Sequence, residues 1–554
     1  AKGMAETQAL LRRVQTSSLP SLEKYNVEFE LRVKENQFNT AIAQSLGLRI
    51  RATVAPTTGL ARHPSGLGAS PTFQIAIPGQ EFGVRVRVVN PSRVPVALTD
   101  ISLHGPPGEN WNVKPQDHPS GELADNRPAA ARFRVKVAEN AAYTRPYFYR
   151  PNIEQPYYDI LNRRDLSLPF APYPLSAWAD FTFQGARIRL GEVAQTVERE
   201  RGPGVLLEPL LVGPAISVWL PQRASIIPLN SKTAPVRITL ESNVDGPVKG
   251  LLRLDLPANW RSFPLVRQFY FSRNGARQIF SFRLSCNQLQ QKRYTITAVA
   301  QSGGRQYKTG YETVGYPGIR PYNYYRPAVF NLTGTDIRIP QGLNVGYITG
   351  TGDRVPQSLE SVGVKVHFLS SQDLASGNLR PYDAIVLGVR AYAARQDVKT
   401  YNSRLLDYVK NGGVLIVQYN TPEYDHDYGP YPYSLSSNPE VVVDEDSKVK
   451  ILEPDSHLLS WPNKIGEKDF EGWMEERGHS FMKSWDPRYH ALLETHDPGQ
   501  APQKGGLLCA PYGKGFYIYD AYALYRQLPE GVPGAYRLMV NMISLDRNPG
   551  GGRR

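Results

Sequence analysis

Polar and aromatic residues follow several predicted strands in the C-terminal part of this chain of 554 residues. They lie in four segments, which are TGTGD (349–353), GVRAY (388–392), QYNTPEYDHDYGPYPY (418–433) and FEGWMEERGHSF (470–481). Open sheets of parallel strands bind ligands outside the carboxyl ends of the strands, so residues directly after a strand are candidates. The candidate ligand-binding residues are Asp353, Arg390, Tyr392, Tyr419, Asn420, Tyr431, Tyr433, Trp473 and Glu476.

Two of these segments allow two interpretations each. Arg390 and Tyr392 could form a guanidinium fork and an aromatic platform for a carboxylate or a sugar ring. Equally, Arg390 could form a structural ion pair with Asp353 or Asp383. The glycines of TGTGD could meet an anion through backbone N–H groups, but a tight turn that needs glycine explains them as well, since no complete phosphate-binding motif is present.

The segment around residues 423–427 combines carboxylates with an imidazole. Glu423, Asp425, His426 and Asp427 resemble a supply of metal ligands, although an exposed acidic loop is the more frequent explanation. The sequence predicts no metal site here. Five tyrosines surround the segment and favour a sugar-binding site lined by aromatic rings; they are Tyr419, Tyr424, Tyr428, Tyr431 and Tyr433.

A nucleophile is missing from the positions where this type of fold would need one. A sharp strand-to-helix elbow would carry a Ser or Cys with a His nearby, but the elbows here carry Arg390 and Asn420. Cys509 falls within a predicted hairpin. Glu475, Glu476 and His479 could supply acid–base groups; without a placed nucleophile we predict no catalytic residue and no enzymatic activity for this chain.

The elements that position these residues form a predicted α/β domain over 341–548, followed by a tail at 549–554. Strands such as LNVGYI and YDAIVLG alternate with helical segments such as TYNSRLLDYVKNG, which is typical of a doubly wound parallel sheet. Before this domain the hydrophobic period is two. It predicts antiparallel β-sandwiches over 48–143 and 178–312, joined by Tyr- and Pro-rich connectors over 144–177 and 313–340.

Residues 1–47 are predicted to form a helical linker. Apolar residues recur every three or four positions, and Gly47 follows as a C-cap. The apolar stripe begins at Leu22, Tyr25 and Phe29, and needs either the following domain or an absent partner to pack on.

The net charge of +13 is unevenly distributed, with +17 on residues 1–340 and −4 on residues 341–554. The excess basic residues lie in alternating strands such as GVRVRVV and RFRVKV. They indicate either a solvated outer face or an anionic partner such as an envelope polymer or lipid headgroups. No basic–aromatic nucleic-acid motif, no apolar run of membrane-spanning length and only two cysteines, Cys286 and Cys509, are present.

Several long runs carry a resemblance to a known family. They include GYITGTGDRVPQSLESVGV, YDAIVLGVRAYAAR, GGVLIVQYNTPEYDHDYGPYPYS, DFEGWMEERGHSF and YRQLPEGVPGAYRLMVNMISL. Together they resemble the C-terminal, non-catalytic region of large bacterial LmbE/PIG-L-type de-N-acetylases, and the resemblance covers nearly all of the chain. The α/β domain is also similar to the class I glutamine-amidotransferase-like fold, including ThuA-like proteins, and the middle to NEW-type β-sandwiches.

The resemblance implies an accessory role. In that family an upstream zinc-dependent domain carries an H-P-D-D segment and an H-x-x-H pair; this chain has neither, and His63 in RHPSG lacks the acidic pair. Zinc is therefore expected only in a domain before Ala1. The implied function is binding or orienting an envelope glycan of N-acetylamino sugars, in the periplasm or outside the cell. The alternative is a structural subunit that docks onto a larger assembly through its N-terminal helix and its Tyr/Pro connectors.

Overall fold

The computed structural model describes residues 1–55, 72–152, 154–200, 204–316, 322–424, 428–435 and 440–547. Three hydrophobic cores lie one after another along the chain. Most of the regular structure around them is β-sheet, so the predicted β-rich architecture with several sheets is confirmed. Among the described residues, no helix combines the length and the apolar character needed to cross a bilayer.

The N-terminal segment forms a helical hairpin rather than one long helix. Helix α1 (Lys2–Gln15) and helix α2 (Ser21–Leu46) are separated by a turn that contains Pro20. Gly47 ends α2 with a left-handed conformation, φ +66°, as a glycine C-cap does. The hairpin lies along the next domain, since the Asn39 amide donates to the backbone oxygen of Arg189 at 2.8 Å.

The first β region (residues 48–212) encloses the first of the three cores along the chain. Its strands show strict alternation of buried and exposed residues. In Glu81–Val89, for example, Phe82, Val84, Val86 and Val88 are buried while Arg85 and Arg87 are exposed. Nine of its strands form one sheet, in the order β5-β7-β3-β1-β11-β10-β4-β6 with β12 beside β11. The strands are β1 (Arg49–Val54), β2 (Ile75–Ala76), β3 (Glu81–Val89), β4 (Val96–His104), β5 (Asn112–Pro115), β6 (Gly121–Leu123), β7 (Pro128–Lys136), β8 (Phe148–Tyr149), β9 (Asp159–Ile160), β10 (Ser176–Phe183), β11 (Ala186–Glu200), β12 (Gly204–Pro209) and β13 (Leu211–Val212).

Strand pairing corrects the expected boundaries of the β domains. The sequence pattern places the β10–β11 hairpin in a second sandwich starting at 178, but β10 pairs with β4, and β11 pairs with β1. Its buried residues Ala179, Phe181 and Ile188 belong to the first core. The alternating pattern identified both strands correctly, but such a pattern contains no information about which sheet a strand joins. The segment 144–177 is thus an excursion within the first β region rather than a connector between domains.

The second β region (residues 214–335) has a four-stranded sheet, β14-β16-β20-β18, and a six-stranded sheet, β15-β25-β21-β17-β19 with β22 beside β21. Both sheets contribute to one core. The region extends beyond the expected end at 312, because β25 pairs with β15 and β21. The strands are β14 (Ile216–Trp219), β15 (Ala224–Pro228), β16 (Thr233–Ser242), β17 (Val248–Asp255), β18 (Trp260–Phe263), β19 (Val266–Phe271), β20 (Arg277–Cys286), β21 (Arg293–Ser302), β22 (Arg305–Tyr307), β23 (Thr309–Val314), β24 (Tyr322–Pro327) and β25 (Val329–Thr335).

The α/β region (residues 343–547) is built on a seven-stranded sheet of order β27-β26-β28-β29-β38-β37-β35. The first five are parallel neighbours and the last two pairs are antiparallel. The central strands are buried on both faces, as parallel strands covered by helices are. Its strands are β26 (Asn344–Ile348), β27 (Lys365–Phe368), β28 (Ala384–Leu387), β29 (Val414–Gln418), β30 (Tyr433–Ser434), β31 (Glu440–Val442), β32 (Lys450–Ile451), β33 (Gly478–Phe481), β34 (Ser484–Trp485), β35 (His490–Ala491), β36 (Leu493–Glu494), β37 (Leu507–Tyr512) and β38 (Gly515–Asp520). Its helices are α3 (Val355–Ser361), α4 (Ser371–Ser376), α5 (Ala391–Ala394), α6 (Gln396–Thr400), α7 (Asn402–Lys410), α8 (His457–Ser460), α9 (Leu524–Gln527) and α10 (Pro533–Ile543).

Candidate functional site at the carboxyl edge of the parallel sheet

Asp353 ties together three segments at the carboxyl edge of the sheet. Its carboxylate accepts hydrogen bonds from the Tyr347 hydroxyl at 2.6 Å, from the Val355 N–H at 3.0 Å and from the Val389 N–H at 3.3 Å. These donors come from β26, from the start of α3 and from the loop after β28. Asp353 therefore supports the edge rather than facing a ligand as a free carboxylate.

The preceding glycine loop has a structural reason for its glycines. A Cβ atom on Gly350 would overlap the backbone carbonyl oxygen of Val389, and Gly352 has a left-handed φ of +114°. Close approach of two backbones and a positive φ both require glycine. Of the two interpretations of TGTGD, the tight turn accounts for both residues.

Arg390 occupies the strand-to-helix elbow after β28. Its φ of +54° and ψ of +35° are left-handed, which is uncommon for a residue other than glycine. The backbone N–H of Arg390 donates to the Tyr419 carbonyl at 3.0 Å, and its Nε donates to the Thr421 hydroxyl at 3.2 Å. Of the two interpretations of Arg390, the ion pair with Asp353 or Asp383 does not occur among the described residues, and Asp383 pairs instead with Arg547 at 2.7 Å.

Five side chains meet beside this elbow, and we call them the edge cluster: Tyr419, Glu476, His479, Tyr525 and Arg526. The Tyr419 ring lies 5.3 Å from the His479 ring and 5.5 Å from the Tyr525 ring. Glu476 accepts hydrogen bonds from the Tyr525 hydroxyl at 2.9 Å and from Arg526 Nε at 2.8 Å. All five are half-buried, so each is ordered by its neighbours and still reaches the surface.

The electrostatics of the edge cluster favour the neutral form of Tyr525 and pair the charge of Arg526 with two carboxylates. Burial, and then the Glu476 carboxylate, raise the pKa of Tyr525 far above its ordinary value. Burial lowers the pKa of Arg526, whose guanidinium pairs with both Glu475 and Glu476. The cluster therefore offers hydroxyl, carboxylate, imidazole and guanidinium groups beside two aromatic faces.

A buried polar layer lies beneath the edge. Gln418 ends β29 and is in register with Asp520 at the end of β38. Gln418 Nε2 donates to the Tyr347 hydroxyl at 3.1 Å, while Gln418 Oε1 and Asp520 Oδ2 have no hydrogen-bond partner within the described part of the chain. Burial raises the pKa of Asp520 well above its ordinary range and so favours the neutral form of this acid.

Other predicted residues are buried near the edge rather than presented at it. Asn420 is fully buried, and its Oδ1 accepts from the Tyr392 N–H at 3.2 Å. Tyr392 is fully buried too, with its ring 4.9 Å from that of Tyr424. The Tyr433 ring stacks on the Tyr424 ring, with the ring centres 5.0 Å apart. These side chains make a tyrosine core and cannot contact a ligand without rearrangement.

Trp473 and Tyr431 are also engaged in local packing. Trp473 is buried, and its Nε1 donates to the Asp469 carbonyl at 3.0 Å. Tyr431 lies beneath the Arg488 guanidinium, 3.7 Å from the ring centre, and its hydroxyl donates to the Pro511 carbonyl at 2.8 Å. Of the nine candidate residues, four are buried and five are half-buried, namely Asp353, Arg390, Tyr419, Tyr431 and Glu476. Tyr419 and Glu476 belong to the edge cluster, and the backbone of Arg390 is joined to that of Tyr419.

Asp425, His426 and Asp427 lie outside the described residues, as does His63. Glu423 is described, and a hydrogen bond from the Thr421 hydroxyl is the main cause of its lowered pKa. No group of three or more metal-ligating side chains occurs among the residues that are described. Cys509 is buried within β37, and burial raises its pKa to about 12.

Sequence reasoning missed Tyr525 and Arg526. Both follow β38 in the segment YDAYALYRQ, so the rule that located the other candidates would have found them. The sequence of β38 predicts one arm of a terminal hairpin, which hides its second role as a parallel neighbour of β29. A cavity of about 1040 Å³ beside Gly412 and Lys514 lies at the amino edge, away from these residues.

Comparison with known proteins adds no assignment. No family model matches the chain, and no curated protein matches it. A β-galactosidase from Rahnella sp. R3 is 13% identical over 38% of this chain and 32% of its own, with a TM-score of 0.22. A red sea bream transglutaminase is 12% identical over 50% and 32%, with a TM-score of 0.20. A protein of unknown function from Porphyromonas gingivalis W83 is 11% identical over 52% and 99%, with a TM-score of 0.15. This chain spans about a third of the first two proteins, and similarity at these scores supports no inference.

Proposed function

We propose that this chain is a non-catalytic binding region that recognises an envelope glycan of N-acetylamino sugars at the edge cluster. The observation that carries the proposal is the pair of tyrosine rings, Tyr419 and Tyr525, 5.5 Å apart and flanked by Glu476, His479 and Arg526. Sugar rings stack their C–H faces on aromatic side chains, and their hydroxyl and acetamide groups need a few convergent hydrogen-bonding partners.

A binding role fits the chemistry of the elbow better than a hydrolytic role. The elbow residue is Arg390, which has no nucleophilic atom, and the Cys509 thiol is buried on a different strand. Arg390 Nε already donates to Thr421, which orients the guanidinium. Its other N–H groups have no acceptor among the described residues, and in this proposal they donate to a ligand oxygen.

The wider assignment is also part of this proposal. We infer a region similar to the accessory part of LmbE/PIG-L-type de-N-acetylases, with two β-sheet domains and an amidotransferase-like α/β domain, acting in the periplasm or outside the cell. The resemblance of the long sequence runs supports it, together with the parallel order β27-β26-β28-β29-β38. In such a protein the zinc and the hydrolysis belong to another domain, and this chain holds the glycan.

Binding of N-acetylglucosamine oligomers, measured by titration calorimetry with the purified chain, tests the function. We expect Tyr419→Ala to weaken binding about tenfold, because an aromatic contact contributes about 0.5–1.5 kcal/mol beyond its buried area. Arg390→Ala should weaken binding by a similar factor through a lost charge-assisted hydrogen bond.

Tyr270→Ala is the matched control, because Tyr270 is an exposed tyrosine on the second β region. Its affinity should equal that of the wild type. The proposal fails if the wild-type chain does not bind these oligomers, or if Tyr419→Ala and Arg390→Ala both bind as tightly as the control.

A structural role is the second candidate, and one observation favours it. Leu22, Tyr25 and Phe29 form an apolar stripe on α2 and are 70%, 65% and 54% exposed. Stripes of this kind on soluble proteins often mark contacts with other proteins. Co-purification of a fixed partner that is lost in Tyr25→Ser, with no glycan binding by the wild type, would favour this role.

A further inference from the structure

Strands of the first β region bring six cationic side chains onto one exposed face. They are Arg51 on β1, Arg85 and Arg87 on β3, Arg132 and Arg134 on β7, and Lys114 on β5, and all six are exposed. Their strands are consecutive neighbours in the sheet, in the order β5-β7-β3-β1. We call this surface the arginine face.

Cations lie directly opposite each other on this face. Arg51 is in register with Arg87, Arg85 with Arg132, and Arg134 with Lys114. Opposite residues of an antiparallel pair have Cβ atoms about 5 Å apart, and like charges in these positions destabilise a sheet. Three such pairs on four strands therefore destabilise the folded chain when no partner is bound.

Carboxylates compensate little of this charge. Within the described residues, Arg132 has an ion pair, with Asp117 at 2.8 Å, and none of the other five cations has one. Glu81 of β3 lies on the same face and pairs with Lys136 of β7 at 3.8 Å. An anionic partner would remove the repulsion and satisfy the guanidinium groups at the same time. The alternating residues of GVRVRVV and RFRVKV thus form a surface suited to binding an anion, and a solvated outer face is not their sole role.

The shape and composition of the face indicate which anion it fits. No large apolar side chain is exposed on β1, β3, β5 or β7, so nothing enters the interior of a bilayer or stacks on nucleic-acid bases. Arginine forks pair bidentately with carboxylate and sulfate groups, and rows of them on a sheet suit a polymer with an anion on each repeating unit.

We propose that the arginine face docks the chain onto an acidic polysaccharide. This surface lies on a different region from the edge cluster and needs no aromatic platform. The two proposals therefore fail separately: N-acetylglucosamine oligomers report on Tyr419, whereas an acidic polymer reports on the arginines.

The test is retention of the full chain on immobilised polygalacturonate, with neutral dextran as the blank. We expect Arg85→Gln/Arg87→Gln/Arg134→Gln to lose roughly tenfold or more in affinity, and wild-type binding to weaken with added salt. The matched control is Arg237→Gln/Arg261→Gln/Arg283→Gln, which removes the same charge from exposed positions of the second β region. The control should bind within about twofold of the wild type.

Several results would overturn the proposal. Equal losses of affinity in both triple variants would attribute the binding to net charge. No loss of affinity in the arginine-face variant would exclude the arginine face as the binding site. Tighter binding of the wild type to duplex DNA or to phosphatidylglycerol vesicles would assign the face to another partner. The face variant should melt no lower than the wild type, because repulsion is relieved. If it fails to fold, Arg85→Lys/Arg87→Lys/Arg134→Lys, which keeps the charge, must still bind more weakly than the wild type.

Discussion

Replacing Asp353 by alanine removes the acceptor that joins three segments of the carboxyl edge. The carboxylate receives the Tyr347 hydroxyl, the Val355 N–H and the Val389 N–H. Tyr347 is 1% exposed, and burial together with Asp353 raises its pKa well above the ordinary value, so its hydroxyl remains a donor. After the substitution this donor has no carboxylate to bond.

The magnitude follows from these contacts. A buried donor left without an acceptor costs about 1–3 kcal/mol, and the loss of a side-chain acceptor at the first turn of α3 costs about 1 kcal/mol. The Val389 contact is long at 3.3 Å and adds little. We therefore expect Asp353→Ala to lower the local unfolding free energy by about 2–4 kcal/mol. Asp353→Asn keeps an oxygen acceptor and should lower the local unfolding free energy by only about 1 kcal/mol.

Hydrogen exchange of peptides from the α/β region is the appropriate assay, because a chain with three cores need not unfold in one step. A double-mutant cycle with Tyr347→Phe should give a coupling energy of about 1 kcal/mol or more, since both substitutions break the same bond. Asp455→Ala, at an exposed aspartate of the same region, is the control. A decrease of the local unfolding free energy by less than about 0.5 kcal/mol in Asp353→Ala would refute this reasoning. Simple addition of the effects of Asp353→Ala and Tyr347→Phe in the double variant would refute it as well.

Two further substitutions test the same edge. Because burial raises the pKa of Asp520 in the folded chain, the unfolding free energy should fall as pH rises from about 3.9 towards the raised folded pKa. Asp520→Asn should flatten that fall and be more stable at neutral pH in urea titrations, and an unchanged slope would contradict the buried acid. Gly350→Ala forces a Cβ onto the Val389 carbonyl oxygen and should cost about 1–3 kcal/mol. Gly466→Ala, where the Cβ meets open space, should leave the unfolding free energy within about 0.5 kcal/mol of the wild type. Equal effects of Gly350→Ala and Gly466→Ala would contradict the close approach of Gly350 to Val389.

Local patterns in the sequence were enough to find most of the elements. Alternation in GVRVRVV and RFRVKV corresponds to β3 and β7, and the strand–helix order after residue 343 corresponds to a parallel sheet. The elbow at Arg390 was also predictable, because it follows a buried strand and precedes a helical segment. These features depend on residues close together in the sequence, which a single chain displays directly.

The pairing partners of the strands and the burial of the tyrosines were not predictable in the same way. Nothing local indicates that the β10–β11 hairpin joins β4 and β1 across a long excursion. Tyr392 and Tyr433 have the composition of a sugar site but pack around Tyr424 in the core. A tyrosine ring is suited both to a binding surface and to a core, and only the tertiary contacts decide between them.

Strand β11 has a consequence for how the chain comes apart. Its first half pairs with β10 and its second half with β1 and β12, and both halves line the first core. A protease nick in the excursion between β7 and β10 would therefore not release a domain. The two fragments would remain associated through β-pairing and the shared core, and would separate only in denaturant. The N-terminal hairpin, which packs on β11, would stay attached to the fragment that follows the nick as well as to the one that precedes it.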